Sequence, residues 1–486
     1  MARKKWQLFI DGKWVDAASG KTFAVNDPAT GELVAEVALA GEADVEKAVQ
    51  AAHRAKSEYA QMSVYERADL CYKLAEEVLK NKEEIARDLA MEQGKPYHKE
   101  ALPEVEETAL NFRLAAEDVV RVETPIIHSR DPNKRMLTFR MPHGVYAVVT
   151  PWNFPAVIPS EYIGPGLGMG NTMVIKPASF TPISVLHIAV CAERAGFPPG
   201  VFNVLTGPGD TVGRQLVAHP LTNAVGFTGE TVTGRQIIRA AELKPVLLEL
   251  GGNGPQIVLE DAHIEAAAEA AAFGCFFNAG QVCCATERIL VHEKVKAEFL
   301  ATLIEKARAY EPQEPFNDQA KMGPMNNEAT AQKMDIHIKD ALEKGATVVY
   351  GGERLKGEKT NLYYRPTVLD NVTIDMLVNK EETFGPIAPI ITFSDHDEAL
   401  RIANGTIYGL QMAVFTSSMK KAFYFADRLE TGNVVINDST DFWEAHEPFG
   451  GGGGKMSGYG RLGGRFTIND MSYLKTYVID LKNVRE

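Results

Sequence analysis

The first apolar positions of the chain fall in two short runs on either side of an Asp-Gly pair. Leu8-Phe9-Ile10 and Trp14-Val15 flank Asp11-Gly12-Lys13, the pattern of a β-hairpin closed by a type I′ turn, since both turn positions need a positive φ that Asp and Gly tolerate. From residue 43 to about 122 the apolar period lengthens to that of a helix. There Ser63-Val64-Tyr65-Glu66 reads as a capping box and Gly94-Lys95-Pro96 as a helix stop, so a helical layer is expected. Beyond the polar stretch 129–134, short apolar runs at 146–149, 172–175, 201–204, 224–227 and 246–250 alternate with helical segments, which predicts an α/β unit with a parallel sheet. A second alternation from 257 to about 435, with strands at 289–291, 346–349 and 387–393, predicts a second α/β domain. Near the end, 472–481 alternates as an exposed edge strand would, and Gly450-Gly451-Gly452-Gly453-Gly454 reads as a loop.

Composition narrows the classes. With 486 residues, 45% of them hydrophobic and 24% charged, the chain can bury two or three cores. A net charge of −13 argues against a nucleic-acid partner or an anionic membrane surface, which would repel most of the protein. The basic start Met1-Ala2-Arg3-Lys4-Lys5 has no apolar stretch behind it, so no export signal is expected; the most apolar later run, 266–277, contains Glu269 and is too short to span a bilayer. Five cysteines (Cys71, Cys191, Cys275, Cys283 and Cys284) show neither CxxC spacing nor a nearby His pair. No disulfide framework and no metal site are expected, and a cytoplasmic location fits.

In a parallel sheet, ligands bind beyond the carboxyl ends of the strands. Gly164 to Gly170 is rich in glycine but precedes a strand, which is the wrong place for a phosphate loop. Phe227-Thr228-Gly229-Glu230 follows a strand and opens a helix, so its N–H groups and helix dipole would face an anion, with Glu230 required to point away. Glu249 ends an apolar strand, where desolvation would raise its pKa and suit it to proton transfer; a structural carboxylate remains the alternative. Asn153, between Pro151 and Pro155, is an amide donor on a fixed backbone or simply a turn residue. Cys283 and Cys284, taken alone, read as packing thiols.

Together these segments resemble the aldehyde dehydrogenase superfamily, in order and over essentially the full length. The resemblance rests on Pro-Trp-Asn-Phe-Pro at 151–155, Lys176-Pro177-Ala178-Ser179, Phe-Thr-Gly at 227–229, Glu249-Leu-Gly-Gly, Gly280-Gln281-Val282-Cys283, Glu381-Glu382-Thr383-Phe384-Gly385-Pro386 and Pro448-Phe449-Gly450-Gly451. It implies a Rossmann-like cofactor domain (1–122 and 143–252), a catalytic α/β domain (253–435), and a bridging β element (123–142 and 466–486) through which a homodimer or homotetramer would form. It also implies oxidation of an aldehyde to the acid. Cys283 would be the nucleophile, Asn153 the oxyanion donor, and Glu249 the group that activates water against a thioester, which separates this chain from acyl-transferring relatives.

Lys176, Gly209, Gly229, Glu382 and Phe384 would hold NAD or NADP, with Trp152 alongside. Ser179 stands where strict NAD users often carry a glutamate. Without that repulsion NADP should be accepted, with Lys176 as a cationic partner. Phe154, Ile158, Glu161, Phe277, Phe442 and Phe449 would line the substrate tunnel, an aromatic wall suited to apolar or aryl aldehydes. Asp438, Asp441, Glu444 and Glu447, placed at its mouth, would disfavour anionic ones.

Overall fold

The computed structural model describes residues 5–483. The basic start at residues 1–4 and the last residues of the expected C-terminal element, 484–486, lie outside them. The hairpin forms as its Asp-Gly pair dictates: Leu8–Ile10 pairs antiparallel with Lys13–Val15, and φ is 56° at Asp11 and 69° at Gly12. The helical layer comprises Glu42–Gln61, Val64–Lys80, Lys82–Gln93 and Leu102–Val119. Ser63 and Glu66 cap one another, the Ser63 Oγ accepting from Glu66 N–H and the Glu66 carboxylate from Ser63 N–H. Lys82–Gln93 ends on Gly94 at a φ of 97°.

Among the described residues the first large sheet has eight strands. In spatial order they are Gly458–Tyr459, Val246–Leu250, Ala224–Gly229, Val145–Val149, Thr172–Lys176, Phe202–Val204, Leu8–Ile10 and Lys13–Val15. The five from Val246–Leu250 to Phe202–Val204 run parallel, so their carboxyl ends share one edge. Val145–Val149 and Thr172–Lys176 are buried on both faces, which is why they read as unbroken apolar runs. From Val145–Val149 the chain builds outward through Thr172–Lys176 and Phe202–Val204, then crosses back to lay Ala224–Gly229 on the other side. That reversal opens a crevice at the ends of Val145–Val149 and Ala224–Gly229.

The second sheet runs Thr347–Tyr350, Thr367–Asp370, Ile387–Phe393, Arg288–His292, Pro255–Val258, Gln411–Phe415 and Asn433–Ile436. Pro255–Val258 and Gln411–Phe415 escaped the pattern because each carries a buried glutamine. Gln256 donates to the Ala267 carbonyl at 2.7 Å and Gln411 to the carbonyls of Thr440 and Phe442, so amides sit where alternation calls for apolar side chains.

Two smaller sheets complete the fold. Ser472–Asp480 pairs antiparallel along Lys134–Pro142, with Ile126–Ile127 on the far side, so the C-terminal strand does lie at an edge. The other is built from Lys5–Trp6, Leu33–Ala38 and Thr22–Asn26. Among the described residues no helix is long and apolar enough to cross a membrane.

Candidate active site

Val145–Val149 runs directly into the Pro-flanked turn that carries Trp152 and Asn153. Asn153 is buried, its Nδ2 donates to the Gln281 carbonyl at 3.0 Å, and its own carbonyl accepts from Lys95 Nζ at 2.9 Å and Asn278 Nδ2 at 3.1 Å. Lys95, 1% exposed, forms a 2.7 Å ion pair with Glu104 and lies 3.9 Å from the centre of the Phe154 ring. The other Glu104 oxygen accepts from the N–H groups of Ala156 and Val157. The turn is thus fastened from beneath by the helical layer, and every polar partner in that network is satisfied.

The segment approaching Cys283 is strained. Asn278, Ala279 and Gly280 follow one another at φ of 49°, 55° and 69°, a run that costs an L-residue about 1–2 kcal/mol per position. It persists because its surroundings leave no alternative. Gln93 Nε2 donates to Asn278 Oδ1 at 3.0 Å, and Asn278 N–H donates to Glu100 at 3.2 Å. A Cβ on Gly280 would lie 2.1 Å from the Gly385 carbonyl. Gln281 accepts from Asn326 N–H at 2.8 Å and donates to the Asn278 carbonyl at 2.8 Å. At Gly252 a Cβ would meet the Cys283 carbonyl at 2.1 Å, so this glycine lets the cysteine loop press against the strand end that carries Glu249.

Two cavities meet at this point, of about 310 Å³ and about 350 Å³. Phe154, Glu161, Phe277, Trp443 and Phe449 line the first; Trp152, Asn153, Gly229, Glu382 and Phe384 line the second. Ile158, Glu249 and Cys283 belong to both walls. Cys283 is partly accessible, whereas Cys284 is buried. The neighbouring Cys284 thiol, burial and the adjacent Glu249 all push the Cys283 thiol well above its usual range, so it rests protonated. Burial pushes Glu249 up to about 8. A carboxyl poised there can take a proton from a thiol or a water and return it.

Phe384 is held at a φ of 60° because the Glu287 carboxylate accepts from the N–H groups of Thr383 and Phe384 at 2.6 and 2.7 Å; its ring stands edge-on to Trp152, centroids 5.5 Å apart. Glu382, raised to about 8 by burial, accepts from Gly252 N–H at 3.0 Å. Lys176, Ser179 and Gly209 do not line the second cavity. Lys176 and Ser179 meet farther along the strand ends at the Gly207 carbonyl, which accepts from Lys176 Nζ at 3.1 Å and Ser179 Oγ at 2.9 Å. Burial lowers Lys176 to about 8 against the pull of the Asp210 carboxylate, and its two hydrogen-bond partners are carbonyls, so its ammonium has no direct ion pair there. Glu230 is exposed but stands in the wall of the second cavity, so the expectation that it points away is not met.

The substrate-side expectations need correcting. Phe442 does not line the first cavity: it is 42% exposed, and Trp443, which the sequence reading passed over, takes the place in the wall. Asp438 and Glu444 are exposed and Glu447 is not in the lining, so of the four expected mouth carboxylates only Asp441 reaches the cavity. Lys95, Glu100 and Glu104 were also missed. A signal was present: Glu100, Glu104 and Glu107 recur at helical spacing and share one face.

Residues 14–477 match the sequence model described as the aldehyde dehydrogenase family. A 3,6-anhydro-alpha-L-galactose dehydrogenase from Vibrio sp. (strain EJY3) is 37% identical over 481 residues, covering 98% of this chain and 99% of its own length. A 3-sulfolactaldehyde dehydrogenase from Pseudomonas putida is 40% identical over 475 residues, covering 97% and 96%. Among solved structures, an NADP-dependent enzyme from E. coli superimposes with a TM-score of 0.95 at 36% identity, covering 98% of both chains.

Proposed function

The chain belongs to the aldehyde dehydrogenase family and oxidises aldehydes with NAD or NADP; from that premise we propose that Cys283, Glu249 and Asn153 carry the chemistry. The observation behind this assignment is that Cys283 and Glu249 lie in the wall shared by the two cavities. A thiol placed there can meet an aldehyde from one side while a hydride acceptor waits on the other.

An aldehyde carbon cannot readily give up hydride while it is planar. Glu249 takes the Cys283 proton, the thiolate adds to the carbonyl, and the oxyanion is met by the Asn153 amide and the Cys283 N–H; each such donor is worth roughly 3 kcal/mol. Trp152, Gly229, Glu382 and Phe384, with Lys176, Ser179 and Gly209 farther out, would hold NAD or NADP, which would supply the two-electron acceptor that the oxidation of the Cys283 adduct to a thioester requires. Glu249, having passed its proton to solvent, then removes one from a water that attacks the thioester, releasing the acid and the Cys283 thiol. With Ser179 in place of a carboxylate and Lys176 free to pair with a phosphate, NADP is accepted. Anionic aldehydes are poor substrates, since Lys99 is the sole basic residue among the described residues lining the first cavity.

The protein works in a reducing cytoplasm as a homodimer or homotetramer formed through the edge strand Ser472–Asp480, along which Leu474 and Val478 are 48% and 59% exposed. Incubating the enzyme with an aldehyde and NADP, quenching in acid and weighing the intact chain tests the assignment: an acyl adduct on Cys283 is expected, and turnover surviving in Cys283→Ala would overturn it.

A further inference from the structure

Once Lys95 and Glu104 have neutralised one another, the first cavity is left with Glu100, Glu107, Glu161 and Asp441 facing it besides Glu249, against Lys99, which is exposed. Oxygen atoms in this set are buried and unpaired. Glu161 is 7% exposed and its Oε1 has no hydrogen-bond partner; Glu100 is 4% exposed and its Oε2 has none. Both Asp441 carboxylate oxygens are buried without a hydrogen-bond partner of ordinary geometry, with only the Cys284 thiol beside them.

Buried acceptors without donors are costly and uncommon in folded proteins. Here they share one cavity with Phe154 and Trp443, whose ring faces attract cations.

We propose that the substrate is an aldehyde whose far end carries a primary ammonium group, which Glu161 receives together with Glu100 and Asp441. This rests on the reading of Cys283 and Glu249 given above. The unpaired oxygens select the kind of cation: a primary ammonium brings three N–H donors, a quaternary one brings none. Burial, with Glu249, Glu107 and Glu447 nearby, keeps the empty Glu161 carboxyl protonated. An ammonium beside it supplies the missing opposite charge, and the proton leaves to solvent. The ligand class follows from charge and hydrogen-bonding capacity, because the relatives are named for two dissimilar aldehydes.

Three short aldehydes make the test, the first two matched in size: 3-aminopropanal, butanal and succinic semialdehyde, each assayed for kcat/KM with the intact enzyme. A preference of tenfold or more for 3-aminopropanal over butanal is expected, with succinic semialdehyde the poorest. In Glu161→Gln the ratio of the first two should fall toward unity, whereas Glu161→Asp, which keeps the charge, should retain most of it; Asp441→Asn serves as a second site if the Glu161 variants do not fold. Butanal or succinic semialdehyde performing as well as the amine, or a ratio unmoved by Glu161→Gln, would overturn the proposal. Protection of Cys283 from iodoacetamide separates this claim from the catalytic one. Protection by 3-amino-1-propanol, but not by 1-butanol, supports the ammonium site even if no aldehyde turns over; equal protection by both overturns it.

Discussion

On the cofactor side of Cys283 the wall is made of groups that already have partners. Glu382 rests on Gly252 N–H and Phe384 is pinned through Glu287, and beyond the wall Lys176 and Ser179 share the Gly207 carbonyl; the exception is Glu249, common to both sides, which keeps one oxygen unpaired. On the substrate side the aromatic wall is interrupted by carboxyl oxygens with nothing to bind. A site whose polar groups are satisfied before the ligand arrives is preorganised and can serve any substrate of the reaction. A site that leaves acceptors unpaired is completed by its ligand, and its selectivity follows from what those acceptors lack.

The difference can be broken first at the residues common to both sides. Cys283→Ser should lower kcat by roughly 10⁴-fold or more for every aldehyde and with either cofactor, measured as NADPH or NADH formation. Glu249→Gln should lower steady-state turnover by roughly 10²–10⁴-fold while acyl-enzyme accumulates. In the parent enzyme kcat should climb as pH rises and level off above about 8, since Glu249 works as a base only when ionised. A flat profile between pH 6 and 9 would contradict that role.

Asn153→Ala removes an oxyanion donor and should reduce kcat by roughly 10²–10³-fold with little change in cofactor KM. Lys176→Met acts on one side only: kcat/KM with NADP should fall about 10- to 100-fold, the worth of a hydrogen bond to a charged group, and much less with NAD. The smallest effect sharpens the other side. Trp443→Ala should raise substrate KM about tenfold, and Phe442→Ala, its exposed neighbour, should leave KM where it was.

The part of the shared wall nearest the first sheet was legible in the sequence because its residues follow strands directly, whereas Glu382 and Phe384, which precede a strand, were reached only through the resemblance. Trp152, Gly229 and Glu249 each sit at or just beyond the end of an apolar run, where a parallel sheet delivers them to one edge without further information. The substrate side was legible only in part: Phe154, Ile158, Glu161, Phe277 and Phe449 line the first cavity as the resemblance implied, but the rest of its wall is assembled from helices and loops distant in sequence. Glu100 and Glu104 reach it from the helical layer, and Trp443 from a loop near the C-terminus. In that loop, which of Phe442 and Trp443 faces inward depends on a turn tied by Gln411 to the Phe442 carbonyl, and no periodicity announces it. Lys95 was hidden differently: between Gly94 and Pro96 it looked like part of a helix stop, and only the fold sets its ammonium beneath Asn153.

The bond from Gln93 to Asn278 also bears on the order in which the protein comes into being. It joins positions 185 residues apart, and the left-handed turn before Cys283, whose local hydrogen bonds run only between Asn278 and Gln281, is fixed in place through contacts of this kind. Helices and hairpins form from local contacts, whereas so distant a closure comes late. A nascent or refolding chain therefore acquires its helical content before its reactivity. After dilution from denaturant, aldehyde oxidation should return more slowly than the far-ultraviolet signal, and the interval between them measures how long the chain is shaped like an enzyme without yet being one.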